Sequence, residues 1–142
     1  MKPLPHIIAS GMISALSAVY FRSAKYVVIS FLAGVLIDGD HVIDYWLNNR
    51  PTLNIKKIYK CCLRIDLPKL YLGLHSYELV MLLWISIYLF SLSFFWQAIA
   101  LGITQHIILD QLTNSISILA YFFTYRFMNG FKKEQILRQG KR

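Results

Sequence analysis

Apolar residues along this chain do not alternate with polar ones; they gather into blocks, and the connections between the blocks carry most of the charge. Blocks of this length read as helices, and four can be drawn as membrane crossings, over residues 6–21, 26–46, 75–93 and 95–113. The first is short for a span of about 20 residues. It compensates with Gly11, Ala15 and Ala18 beside Ser10, Ser14 and Ser17, small side chains that let membrane helices approach closely. A further apolar stretch, residues 116–125, is closed by Arg126. Ten helical residues rise only about 15 Å against a hydrocarbon core of about 30 Å. That stretch is therefore expected to lie on the surface or to extend the fourth helix, with a fifth crossing as the alternative. The expected fold class is all-α, an integral membrane four-helix bundle with a short fifth helix at the C-terminus.

Composition agrees with a membrane chain. Of 142 residues, 56% are hydrophobic and only 15% charged, against roughly a quarter charged in soluble domains, and the mean hydropathy is +0.48. One domain, residues 1–142, is expected. The net charge of +8 would suit nucleic acid, but the basic residues fall between and after the apolar blocks. There they would meet anionic lipid headgroups, so no nucleic-acid partner is expected. The long connection, residues 48–74, holds Arg50, Lys56, Lys57, Lys60, Arg64 and Lys69 among Ile55, Ile58, Tyr59, Leu63 and Ile65, which reads as a basic amphipathic segment on the membrane surface. Residues 129–142 form a basic tail.

Lys2 and the six basic residues of that connection lie on one side of the bundle, against Arg22 and Lys25 on the other. The positive-inside rule then predicts a multi-pass inner-membrane protein with the basic side in the cytoplasm. Cys61 and Cys62 are adjacent, which suits neither a structural disulfide nor a zinc knuckle; they read as reduced cytosolic thiols open to acylation. A cleavable signal peptide is the rival reading of Lys2 and the first apolar block. It is set aside because that block carries His6, which belongs with the chemistry below.

Four histidines each lie near the end of a different block: His6 opens the first, His41 closes the second, His75 opens the third and His106 lies late in the fourth. Alternating chain direction brings all four to one membrane face. Five of the seven acids accompany them: Asp38, Asp40 and Asp44 around His41, Glu78 after His75, and Asp110 one turn after His106. A carboxylate at a bilayer centre costs about 2.5–3.5 kcal/mol on insertion scales, so acids inside apolar helices are by default functional. Gathered without a cation they would repel one another and take up protons. A divalent metal removes both objections, since it accepts neutral imidazole and carboxylate oxygen together. The expected ligands are His6, Asp40, His41, His75, His106 and Asp110. Helical spacing permits this, with His106 and Asp110 one turn apart and Gly39 loosening the turn that carries Asp38 and Asp40. Asp38 and Asp44 read as ligands or as partners that orient the imidazoles. Zinc is the expected ion, with manganese or iron as alternatives and one or two ions in the site.

These residues form a pattern that resembles a known family. A histidine near the N-terminus, "LIDGDHVIDY" in place of an L-P-D-x-D-H run, "LHS" opening a later block and "HIILDQLTN" as an H-x3-D-x2-T segment are together similar to the small bacterial and archaeal inner-membrane proteins described as membrane-bound metal-dependent hydrolases (YdjM-like). The resemblance covers residues 6–114 and implies metal-site positions at His6, Asp38, Asp40, His41, His75, Ser76, His106 and Asp110. This chain has "YLGLHS" where many members have H-R-G-x-T-H-S, so one histidine and one arginine of that run are absent, and Ile37 replaces the proline of L-P-D.

A metal with an open position brings the pKa of bound water to about 7, and a site at the lipid interface selects amphiphiles. The expected activity is metal-dependent hydrolysis of a phosphoester in a lipid or other amphiphile, with Asp38, Asp44 and Glu78 as general-base candidates and Ser76 as a substrate hydrogen-bond partner. Rival readings are a divalent metal transporter, a bis-histidine haem bundle and a non-catalytic metal site. Transport would place ligands near the membrane midplane, and haem would not need the carboxylates. The "DGD" lacks the A-R and distal aspartates of CDP-alcohol phosphotransferases.

Overall fold

A computed structural model describes residues 3–64, 66–114 and 116–137, apart from the side chains of residues 3–6 and 63–64. Helix α1 (Pro3–Leu16) breaks at Ser17, whose hydroxyl donates to the Ser14 carbonyl at 2.5 Å, and a single turn, α2 (Ala18–Phe21), follows. Helix α3 (Ala24–Leu36) passes through a 3-10 turn (Ile37–Gly39) into α4 (Asp40–Asn48). After α5 (Ile55–Arg64) come α6 (Tyr77–Leu89) and α7 (Phe94–Thr113), then a second 3-10 turn (Ile118–Tyr121), α8 (Phe123–Met128) and α9 (Lys133–Leu137). Among the described residues there is no strand; the extended contact is one isolated bridge between Lys69 and Lys132.

Helix α7 is the centre of the bundle, packed against α1, α3 and α6. Its closest neighbour is α3, because glycines meet where the two cross. A Cβ on Gly102 would collide with the Ser30 carbonyl and stand 2.9 Å from Ala33 Cβ, and one on Gly34 would stand 3.0 Å from the Gly102 carbonyl. Backbones this close gain dispersion along their whole contact without large side chains. Gln105 Nε2 donates to the Ser14 hydroxyl at 3.2 Å and ties α7 to α1 in the same buried layer.

Polar side chains share the interior with apolar ones such as Phe21, Ile37, Ala98 and Ile107. The interior holds Ser10, Ser14, Ser17, Ser30 and Gln105, whereas Met12, Leu16, Val28, Leu32, Met81 and Leu82 face outward. By length and composition, one helix among the described residues, the continuous run Ala24–Asn48, could cross a membrane. Ile7–Phe21 and Tyr77–Leu89 are apolar but shorter. Helix α7 has 20 residues, but Gln97, Gln105, His106, Asp110 and Gln111 dilute its apolar character.

The two ends of the bundle differ. At one, the rings of Tyr20, Phe21, Tyr26 and Phe94 pack with centroids 5.0–6.0 Å apart, edge to face except for the tilted pair Phe21–Tyr26. At the other, the 48–74 connection and the C-terminal segment fold over the polar end. Helix α5 is amphipathic as its sequence predicts, with Lys56, Lys57 and Lys60 exposed, but its apolar side turns toward protein: Ile58 is buried with Tyr45, Leu67, Leu70 and Ile136. Residues 116–125 do not make one helix. Extended backbone at Phe122 separates the 3-10 turn from α8, and Tyr121 is buried with Ile37, Val80 and Ile107.

Candidate metal centre

Three segments deliver the cluster. The 3-10 turn brings Asp38 and His41 to one side, because side chains three apart eclipse in that geometry, and Asp38 Oδ1 lies 3.8 Å from His41 Nε2. Gly39 sits in ordinary right-handed backbone at φ −58°, so the turn does not depend on glycine's freedom. Helix α7 presents His106 and Asp110 on one face, with Nε2 and Oδ2 3.8 Å apart. His75 comes from the loop before α6, which Ser76 caps by accepting the Leu79 N–H at 3.3 Å. That loop is strained at Leu72, held at φ +41°.

These atoms converge. Asp38 Oδ1 is 3.3 Å from His106 Nε2 and 3.8 Å from His75 Nε2, and Asp110 Oδ2 is 3.8 Å from His75 Nε2. The His75 ring centroid lies 5.0 Å from that of His41 and 5.3 Å from that of His106. Two overlapping groups that could hold a metal ion therefore share His75: Asp38 with His41, and His106 with Asp110. An ion bound by N and O ligands at about 2.0–2.1 Å in a tetrahedron places neighbouring ligand atoms about 3.3 Å apart. The observed separations match or slightly exceed that spacing. The Nε2 atoms of His41 and His75 are buried with no hydrogen-bond partner among the described residues, which a Lewis acid between them would satisfy. The donor set of imidazole nitrogens and carboxylate oxygens fits a divalent cation.

Three further expected site residues, Asp40, Asp44 and Glu78, stand apart from these groups. Asp40 stands behind the cluster: its Oδ2 accepts the Leu74 N–H at 2.8 Å and lies 3.3 Å from His75 Nδ1, so it holds a ligand's ring in place. Asp44 is buried, with Oδ1 accepting the Tyr71 N–H at 2.8 Å and Oδ2 without a hydrogen-bond partner among the described residues. Glu78 points to the start of α8, where it accepts from the Phe123 and Thr124 N–H groups, both at 2.9 Å, and from the Thr124 hydroxyl at 2.7 Å. Three donors leave that carboxylate occupied as a helix cap, which differs from the base role its spacing after His75 predicts. The side chain of His6 lies outside the described residues.

A cavity of about 80 Å³ opens beside the cluster, lined by His41, His75, Asp44 and Asp110 together with Arg126 and Cys62. It has room for several waters. The Cys62 thiol lies 3.7 Å from the His41 carbonyl, and burial pushes its pKa up to about 11. Arg126 is the site residue that sequence reasoning missed. Its only signal was a place at the end of residues 116–125, which pointed to the surface rather than to a buried cavity.

Comparison with family profiles, with characterised proteins and with solved structures finds no match.

Proposed function

We propose that this chain is a membrane-embedded metal-dependent hydrolase that cleaves a phosphoester in a lipid or other amphiphile at the cytoplasmic interface, as its resemblance to the YdjM-like proteins implies. The observation that carries the reading is the convergence of three imidazole Nε2 atoms and two carboxylates at one end of the bundle, at 3.3–3.8 Å for the pairs around Asp38 and Asp110, where His41, His75 and Asp110 also line a cavity. Zinc is the ion best suited to a histidine-rich set with carboxylates, with one or two ions in the two groups that share His75. The buried serines, the close glycine contact of α3 with α7 and the many exposed leucine and methionine side chains support a lipid environment and a multi-pass arrangement.

Each residue then has a task. Asp38 with His41, and His106 with Asp110, each together with His75, would hold one or two ions, which would supply Lewis acidity and bring the pKa of bound water to about 7. Asp40 keeps the proton of His75 on Nδ1 and so leaves the Nε2 lone pair facing the centre. Asp44 Oδ2, unpartnered and on the cavity wall, accepts a proton during attack. Apolar Leu67, Leu70 and Ile136 close the cavity and keep bulk water out.

The test is elemental analysis and turnover of a fluorescent phosphatidic acid analogue by detergent-purified protein, wild type beside Asp38→Ala and His106→Ala. The wild type should retain zinc and hydrolyse the lipid, and both variants should lose both properties. Equal metal content in all three would overturn the reading. A specific observation favours divalent-cation transport as the second reading: the long second helix is interrupted at Ile37–Gly39, beside the ligands. Zinc flux into proteoliposomes without phosphoester cleavage would select it.

A further inference from the structure

Arg126 is buried almost completely, 1% exposed, in α8 over the polar end of the bundle. One of its nitrogens is accounted for: Nη2 donates to the His75 carbonyl at 3.0 Å. The Nε and Nη1 donors have no hydrogen-bond partner among the described residues. Asp40, Glu78 and Asp44 act on the guanidinium only at longer range, and the ring of Phe123 lies 5.9 Å away. A guanidinium keeps its charge at any physiological pH, so burying it with two donors unanswered is costly unless something else occupies them.

The place of those donors is informative. Arg126 lines the same cavity as His41, Asp44, His75 and Asp110, so a fixed cation and candidate metal ligands share one space. A cavity of about 80 Å³ admits a small oxyanion as well as water. A tetrahedral anion suits it better than a planar carboxylate, because it can turn oxygens toward the guanidinium while others face the metal cluster.

We propose that Arg126 is the anion anchor of this site, its Nε–H and Nη1–H groups donating to the oxygens of a phosphate or phosphomonoester placed in the cavity between the guanidinium and the His41, His75 and Asp110 side chains. The choice of phosphate rests on the proposed hydrolase reading; anion binding itself is measurable without turnover. The shared ligand chemistry is a phosphate group, free or carried by a lipid headgroup.

The experiment uses the full chain, zinc-loaded and labelled with 15N-arginine, in a detergent without phosphate groups. The Arg126 Nε resonance, assigned by its loss in Arg126→Lys, is followed on adding inorganic phosphate in one arm and on transfer to nanodiscs containing phosphatidic acid in the other. A saturable shift is expected, and the responding arm identifies the source. Arg126→Lys keeps the charge but loses the planar donors, so it should bind the effective ligand about tenfold more weakly with unchanged zinc content. Unaltered affinity in that variant would overturn the proposal, as would a wild-type Nε resonance that responds in neither arm. Where that variant fails to fold, the resonance is assigned as the one that remains when Arg22, Arg50, Arg64, Arg138 and Arg142 are replaced by lysine, and its response then decides the matter. A shift that persists in protein holding no zinc would support the anchor while counting against the hydrolase.

Discussion

Oδ2 of Asp40 lies 3.3 Å from Nδ1 of His75 and accepts the Leu74 N–H at 2.8 Å, so one carboxylate holds both an imidazole and the loop that carries it. The pair spans 35 positions in sequence and joins α4 to the loop before α6. Asp40→Ala should weaken zinc binding by about 10–100-fold, whereas His75→Ala removes a ligand and should weaken it further. Competition titration with a chelator measures both; a larger loss in Asp40→Ala than in His75→Ala would make Asp40 the ligand instead.

Glu78 is expected to matter for stability and not for metal. Removing its carboxylate by Glu78→Ala strips the first turn of α8 of three hydrogen bonds. A loss of about 0.5–2 kcal/mol in denaturant unfolding is expected, with zinc content equal to wild type. Metal loss without a stability change would return Glu78 to the chemistry.

Two glycines should respond in opposite ways to alanine. At Gly102 the new methyl meets the α3 backbone and the helices must separate, at a cost of about 1–3 kcal/mol. At Gly39 nothing lies within 4 Å and the backbone is already right-handed, so the substitution should be neutral or stabilise by up to about 1 kcal/mol. Thermal unfolding in detergent compares them, and equal shifts would rule out the close α3–α7 crossing.

Cys62 gives a pH signature of the cap over the site. Its thiol is pushed up to about 11 by burial, and only the thiolate alkylates. In a Cys61→Ser background, iodoacetamide should react at pH 8 roughly two orders of magnitude more slowly than with the unfolded chain, whose thiol sits near the usual value of about 8.5. The rate should climb with pH toward about 11. A plateau near pH 9 would mean that α5 does not cover the site end.

The proposed membrane arrangement is open to a direct measurement. Leu53 is 88% exposed in the basic connection, and Ser91 is exposed at the turn before α7. In a background lacking both native cysteines, Leu53→Cys should resist an impermeant maleimide applied to intact cells, and Ser91→Cys should react. The reverse pattern would place the metal centre outside.

Sequence alone was enough for the helical class, because long apolar blocks without alternation have no other regular use, and for the pairing of His106 with Asp110, because one turn of helix places residues four apart on one face. It was also enough to collect His41, His75 and the aspartates as candidates, since acids inside apolar blocks are too costly to be incidental. The division of labour among those acids was not legible. Whether Asp38 or Asp40 faces the imidazole Nε2 atoms depends on a 3-10 turn of three residues, a change in helical rotation that hydrophobic periodicity does not register. Glu78 stands close to His75 in sequence, but its partners Phe123 and Thr124 lie 45 and 46 positions away. Arg126 looked like a surface charge ending an apolar stretch; only the fold of the C-terminal segment over the bundle carries its guanidinium inside. Tertiary structure decided these points because a side chain's role rests on which donors and acceptors reach it, and here they come from distant parts of the chain.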